Sequence, residues 1–169
     1  MTTYLSDLTV KFTLTRKDET IVKTATFSHY SDSLGYDVRE HGDNLADELD
    51  DIDCNEHPED WEVTDISVTA YDTDYKNPTD FDNLDDYGKY AAGIEKHGEA
   101  YHLRYDDIGE SNFSDEYVGC HTNFGDYAWS IAEESGYTDR YFDLEAYASD
   151  LQHDYSTYQG SDGCHIFRD

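Results

Sequence analysis

The sequence predicts an α+β fold built from small units in series, and three observations predict it. Near the start, Leu8, Val10, Phe12 and Leu14 alternate with Thr9, Lys11 and Thr13, the period of a half-buried strand. Far downstream, Phe124, Tyr127, Ala128, Ile131 and Ala132 recur at the spacing of a single helix face. Between these signals, Tyr71 to Phe81 is rich in Asp, Asn, Thr and Tyr and contains Pro78, which reads as a linker. With 37% hydrophobic and 15% aromatic residues among 169, the chain has the material for a core, whereas a disordered acidic tail is aromatic-poor.

Taken in order, the first strand ends in a polar turn, Arg16-Lys17-Asp18-Glu19, and Ile21 to Phe27 returns as a second strand. Leu45, Leu49 and Ile52 predict a short amphipathic helix. Trp61 and Val63, then Ile66, Val68 and Ala70, alternate as further strand. After the linker, Leu84, Tyr87, Ala91 and Ile94 line a helix with Asn83 as its N-cap and Gly98 at its end. Glu99 to Ile108 fits a helix through Tyr101, Tyr105 and Ile108, or a strand through Tyr101, Leu103 and Tyr105. Asn123 caps the helix that Gly136 closes, Asp143 caps a last helix through Leu144, Tyr147, Ala148 and Leu151, and His165-Ile166-Phe167 forms a final strand. We therefore expect an N-terminal α+β unit with a small antiparallel sheet over residues 1–75. A helical middle unit over 76–110 and an α+β C-terminal unit over 111–169 follow.

Charge dominates the composition. Forty Asp and Glu stand against eleven Lys and Arg, a formal net charge of -29. Self-repulsion on that scale opposes compaction. B-DNA carries one negative charge per about 1.7 Å of axis, so this charge at that density covers about 50 Å of duplex. A folded chain of this length is about 40 Å across. The charge is thus in the range that a protein of this size needs to imitate DNA. Direct binding to nucleic acid is excluded, because no Lys and Arg cluster is present to meet phosphates. Salt adaptation and calcium binding also give acidic chains, and composition alone does not separate them. Solubility asks for a net charge of only about 2–8.

Three cysteines do not make a disulfide framework. Met1 to Leu14 lacks the pattern of a secretory signal, and no apolar stretch approaches the ~20 residues of a membrane span. A cytoplasmic location and no membrane partner are expected.

Candidate chemistry is sparse. Asp51 to Glu62 places oxygen ligands in an EF-hand-like order, but Glu56 stands where the sharp turn wants Gly, and Pro58 follows. Each cysteine neighbours a histidine: Cys54 with His57, Cys120 with His121, Cys164 with His165. Adjacent Cys-His residues do not readily reach one tetrahedral ion, so buried structural cysteines, surface histidines and no metal site are expected. No cofactor is expected either. Carboxylates are everywhere and none is set apart as a tuned acid or base, and phosphate-binding and nucleophile-elbow motifs are absent. The chain does not read as an enzyme.

What remains is a surface. The helix faces opposite the apolar stripes carry Asp85, Asp86 and Glu95, then Asp126, Glu133 and Glu134, then Glu145 and Asp150. Carboxylates near a helix N-terminus favour its dipole, which accounts for Asp85, Asp86 and Asp126. Glu133 and Glu134 sit at the opposite, unfavourable end and point to a functional negative surface.

The runs Tyr117 to Ala128 with Glu133-Glu134-Ser135-Gly136, Tyr141-Phe142-Asp143-Leu144-Glu145-Ala146-Tyr147-Ala148-Ser149-Asp150-Leu151, His165-Ile166-Phe167-Arg168 and Ile94 to Tyr101 are similar to segments of the ArdA antirestriction family. The resemblance covers residues 61–169, and the first 60 residues depart from it. It implies an elongated three-part α+β protein that forms a homodimer through its C-terminal part. It further implies an inhibitor that occupies the DNA-binding groove of type I restriction-modification enzymes, chiefly the modification core, in a bacterial host. The helix holding Phe124, Tyr127, Ala128 and Ile131 matches the region associated with antirestriction activity and dimer contacts.

Overall fold

The computed structural model describes residues 5, 7–28, 30–52, 60–69 and 75–169, without the side chains of residues 52 and 107–111. The chain divides into two α+β units, Tyr4–Lys96 and His97–Asp169.

In the first unit, β1 (Leu8–Arg16) runs antiparallel to both β2 (Glu19–Phe27) and β3 (Glu62–Thr69), in the order β2-β1-β3. The alternation of β1 sends Leu8, Val10, Phe12 and Leu14 to one buried face, each at most 1% exposed. Helix α1 (Leu34–Ile52) contributes Leu34, Val38 and Ala46 to the same core. It starts well before the expected Leu45; its buried stripe of Leu34, Val38 and Ala46 is interrupted at Gly42, where periodicity alone asks for an apolar residue. A Cβ on Gly42 would stand 3.1 Å from the Phe12 ring, so the glycine lets helix and sheet approach. Arg16 lies over the buried Trp61 ring at 4.8 Å, a cation-π contact.

The described end of the expected linker carries regular structure. Pro78–Asp80 forms a 3-10 turn with Pro78 buried, and Phe81 packs its ring on Tyr87 and Tyr90 at 5.7 and 5.2 Å. Residues 70–74 lie outside the described residues, as do 53–59, which hold Cys54, His57 and most of the EF-hand-like stretch. Helix α2 (Leu84–His97) starts as expected, with the Asn83 side chain accepting the Asp86 N–H at 2.9 Å. Gly98, at a φ of 68°, ends it and opens α3 (Glu99–Glu116), which resolves the ambiguous segment as helix.

The second unit has a three-stranded antiparallel sheet, β4 (Tyr117–His121), β5 (Tyr155–Gln159) and β6 (Cys164–Arg168), in the order β4-β6-β5. The expected final strand is therefore the central one. Helices α4 (Phe124–Glu134) and α5 (Leu144–Leu151) separate β4 from β5 along the chain. Their caps form as expected: Asn123 accepts the Asp126 N–H at 2.9 Å and Asp143 accepts the Ala146 N–H at 3.1 Å. Gly136, at a φ of 74°, follows α4. On one face of the sheet, Cys164 and Ile166 pack with Tyr127 of α4, flanked by Phe124, Ile131, Leu151 and Tyr155. On the other, Phe167 meets Phe113 of α3 at 5.5 Å and Tyr158 at 5.6 Å.

Candidate functional site

The eight carboxylates singled out by sequence sit in unlike settings. Asp85 is half-buried, and its Oδ1 accepts the Gly35 N–H at 2.6 Å, so it serves the N-terminus of α1. Asp86 takes bonds from Lys89 at 3.0 Å and from the Asn83 amide at 2.9 Å, and the Lys89 bond holds its carboxyl below the usual range. Glu95 is half-buried on α2. Asp126, Glu133, Glu134, Glu145 and Asp150 are all exposed, and among the described residues no cation forms a salt bridge with them.

Helix polarity sharpens the picture. Helices α1, α3, α4 and α5 have no basic residue in their last turns. Acids occupy those ends instead: Asp50 and Asp51, Asp115 and Glu116, Glu133 and Glu134, and Asp150. Three of them are engaged: Asp50 accepts the Trp61 N–H at 3.1 Å, Glu116 lies 3.5 Å from Arg104, and Asp51 also has a partner. Each acid in a last turn works against its own helix dipole. From His97 to Asp169 the cations are Arg104, Arg140 and Arg168, with no lysine. Arg104 turns inward, donating to the Tyr158 hydroxyl at 2.6 Å. Against these three cations the same stretch holds sixteen Asp and Glu.

The helix residues singled out with them divide. Tyr127 and Ala128 are buried in the core of their own unit, while Phe124 and Ile131 are half-buried against the same cluster. Burial pushes the Tyr127 phenol above the ordinary tyrosine range, helped by its hydrogen bond with Tyr155. Exposed aromatic surface near α4 belongs instead to Trp129, which lies off the core stripe of the helix, and to Tyr137 and Tyr141, which lie beyond its end where helical periodicity does not apply. A shallow groove between α4 and α5 is lined by Phe124, Gly125, Leu144, Glu145, Ala148 and Ser149.

Of the histidines beside cysteines, the two described differ from the surface positions expected. His165 is 2% exposed, and His121 is half-buried with its ring 5.1 Å from that of Tyr127. Of the cysteines, Cys164 is buried as expected but Cys120 is exposed. Burial pushes both thiols up, and at Cys120 the neighbouring Asp162 adds to the effect.

Residues 29–165, most of the chain, match the family of the antirestriction protein (ArdA). The chain belongs to the ArdA family. The match begins at residue 29, so the ArdA region includes all of α1 and β3 and reaches well upstream of residue 61, where the resemblance was expected to start. As an ArdA family member the chain is a non-catalytic antirestriction protein. No curated protein and no solved structure gives a significant match. Among the described residues no helix is long and apolar enough to cross a membrane.

Proposed function

We propose that this ArdA protein is a DNA mimic that occupies the DNA-binding groove of a type I restriction-modification enzyme, at its modification core, in the cytoplasm of a bacterial host. The observation that carries the reading is the placement of acids at the negative ends of helices. A chain selected only for stability gains from bases there, worth about 0.3–1 kcal/mol each. Here the opposite charge is used repeatedly, within a chain of net charge -29. A surface that must face the basic lining of a DNA channel accounts for that choice.

The mechanism is competitive occupation. Lysines and arginines of the channel release their bound anions and pair with Asp126, Glu133, Glu134, Glu145 and Asp150, with Asp85, Asp86 and Glu95 adding to the field of the other unit. Complementary charge speeds association and makes it salt-dependent. The C-terminal unit serves as the homodimer contact, with Trp129, Tyr137 and Tyr141 as contact surface and Phe124, Tyr127, Ala128 and Ile131 holding the helix beneath. Two copies carry a charge of about -58, equal to about 100 Å of duplex at DNA charge density. Such an inhibitor protects incoming mobile DNA and binds no nucleic acid itself.

The test is displacement of a labelled target duplex from a purified type I methyltransferase at low and moderate salt. Stoichiometric displacement that weakens steeply with salt is expected. No displacement by the folded protein at either salt overturns the proposal and favours an acidic surface adapted to salt or ions.

A further inference from the structure

Cys120 and His165 are far apart in sequence but directly opposite each other on β4 and β6. Opposite residues in an antiparallel pair share a face. The register of β4 shifts between Tyr117 and Gly119, a bulge at Val118. Without it Tyr117 and Cys120, three apart, would face opposite sides of the sheet. With it both reach His165. The Tyr117 hydroxyl lies 3.1 Å from Nδ1, and on the other side of the ring Asp162 Oδ1 lies 2.8 Å from Nε2. Asp162 Oδ1 is also 3.8 Å from the Cys120 thiol.

One buried atom in this group has no hydrogen bond. His165 Nε2 is shielded from solvent, and although Asp162 is near, it stands off the line of a ring N–H. A buried polar atom left in that state is unfavourable unless something occupies its lone pair. Nearby glycines make room around it. A Cβ on Gly160 would fall 2.6 Å from Nε2, and one on Gly163 would fall 2.7 Å from the Cys120 Sγ. The turn that carries Asp162 is itself tied down, since Glu99 accepts both the N–H and the hydroxyl of Ser161 at 2.7 Å.

We infer that Cys120, Asp162 and His165 bind one zinc-type divalent cation, with the fourth coordination position taken by solvent. One ligand atom from each lies within 4.8 Å of the others. Tetrahedral zinc with bonds of about 2.0–2.3 Å holds neighbouring ligand atoms about 3.3–3.5 Å apart. To reach that geometry the Asp162-to-His165 distance of 2.8 Å must open by about half an ångström and the Asp162-to-Cys120 distance of 3.8 Å must close by about 0.3 Å, with Cys120 and His165 closing from within 4.8 Å. Sulfur and imidazole select zinc over magnesium and calcium, which take oxygen. The cation lies along the Nε2 lone pair, while Nδ1–H donates to the Tyr117 hydroxyl, the outer contact that fixes the tautomer. Binding releases the Cys120 thiol proton to solvent. Sequence neighbours hid the site, because Cys120 is partnered across the sheet by His165 and not along the strand by His121.

The inference is independent of the antirestriction reading and is tested on the protein alone. The full chain is titrated with cobalt(II) in excess magnesium, which occupies surface carboxylates. One equivalent should produce a thiolate-to-cobalt charge-transfer band, and one equivalent of zinc should abolish it. Tyr117→Phe should weaken zinc about 10-fold, the loss of one outer contact. Cys120→Ser and Asp162→Asn, both at exposed positions, should weaken it further, and Cys120→Ser should remove the band. Absence of the band, or an unchanged band in Cys120→Ser, overturns the site.

Discussion

The two sheets have equal numbers of strands and the same antiparallel pairing, yet their middle strands are buried differently. In β1 the buried residues alternate with half-exposed or exposed ones such as Thr9, Lys11 and Thr13. In β6 four consecutive residues, Cys164 to Phe167, are buried. One face of the first sheet receives α1, while the second has α4 on one side and α3 on the other. A strand covered on both faces has no solvent position to spare, and alternation disappears from its sequence. Five residues then do what nine do in β1.

The largest test of that contrast is truncation of β6. Phe167→Ala should cost about 3–5 kcal/mol, because its ring packs among Phe113, Tyr117 and Tyr158. Lys11→Ala, at an exposed position of β1, should stay within about 0.5 kcal/mol. Urea unfolding of both variants makes the comparison, and equal costs would erase the distinction between the strands.

Next comes close packing in the first unit. A Cβ on Gly88 would stand 2.0 Å from the Ser31 carbonyl, which belongs to the backbone and cannot swing aside. Gly88→Ala should therefore destabilise by about 1–3 kcal/mol, read from the same unfolding curves. A neutral result would mean that α2 docks there loosely.

A smaller effect concerns alkaline pH in the second unit. The Tyr127 phenol is raised above its ordinary value of 10.0, so its contribution is whole below that pH. It fades as pH climbs through the raised folded value. Melting temperature followed from neutral to strongly alkaline pH should fall less steeply in Tyr127→Phe; an identical fall would place the titrating group elsewhere.

The smallest change in stability carries the most functional weight. Glu133→Gln with Glu134→Gln removes negative charge from the C-terminal end of α4 and should raise stability by about 0.3–1 kcal/mol per residue. The same variant should displace duplex less well. Higher melting temperature with undiminished displacement would remove these two residues from the interface.

Much of this architecture is visible in the residues. The alternation of β1 and the caps at Asn83, Asn123 and Asp143 are local signals, and each forms where expected. The start of α1 is obscured by Gly42, a helix position chosen for the approach of Phe12. Strand β5, Tyr-Ser-Thr-Tyr-Gln, has no aliphatic residue to mark a period, and β4 is short and bulged. Acidic helix ends could be read directly from composition and periodicity. Whether an acid is engaged, as Asp85 is by Gly35, depends on a contact 50 residues away in sequence. The same holds for Cys120 and His165, which only strand pairing unites.

The order β4-β6-β5 also sets a timetable for synthesis. Strands β4 and β5 pair with β6 and not with each other, and β6 leaves the ribosome after both. Chains fold N-terminal units first, at about 5–20 residues added per second. The first sheet can close as soon as β3 emerges. The second must wait, its outer strands unpaired and α4 without its floor, until the strand between them has been made.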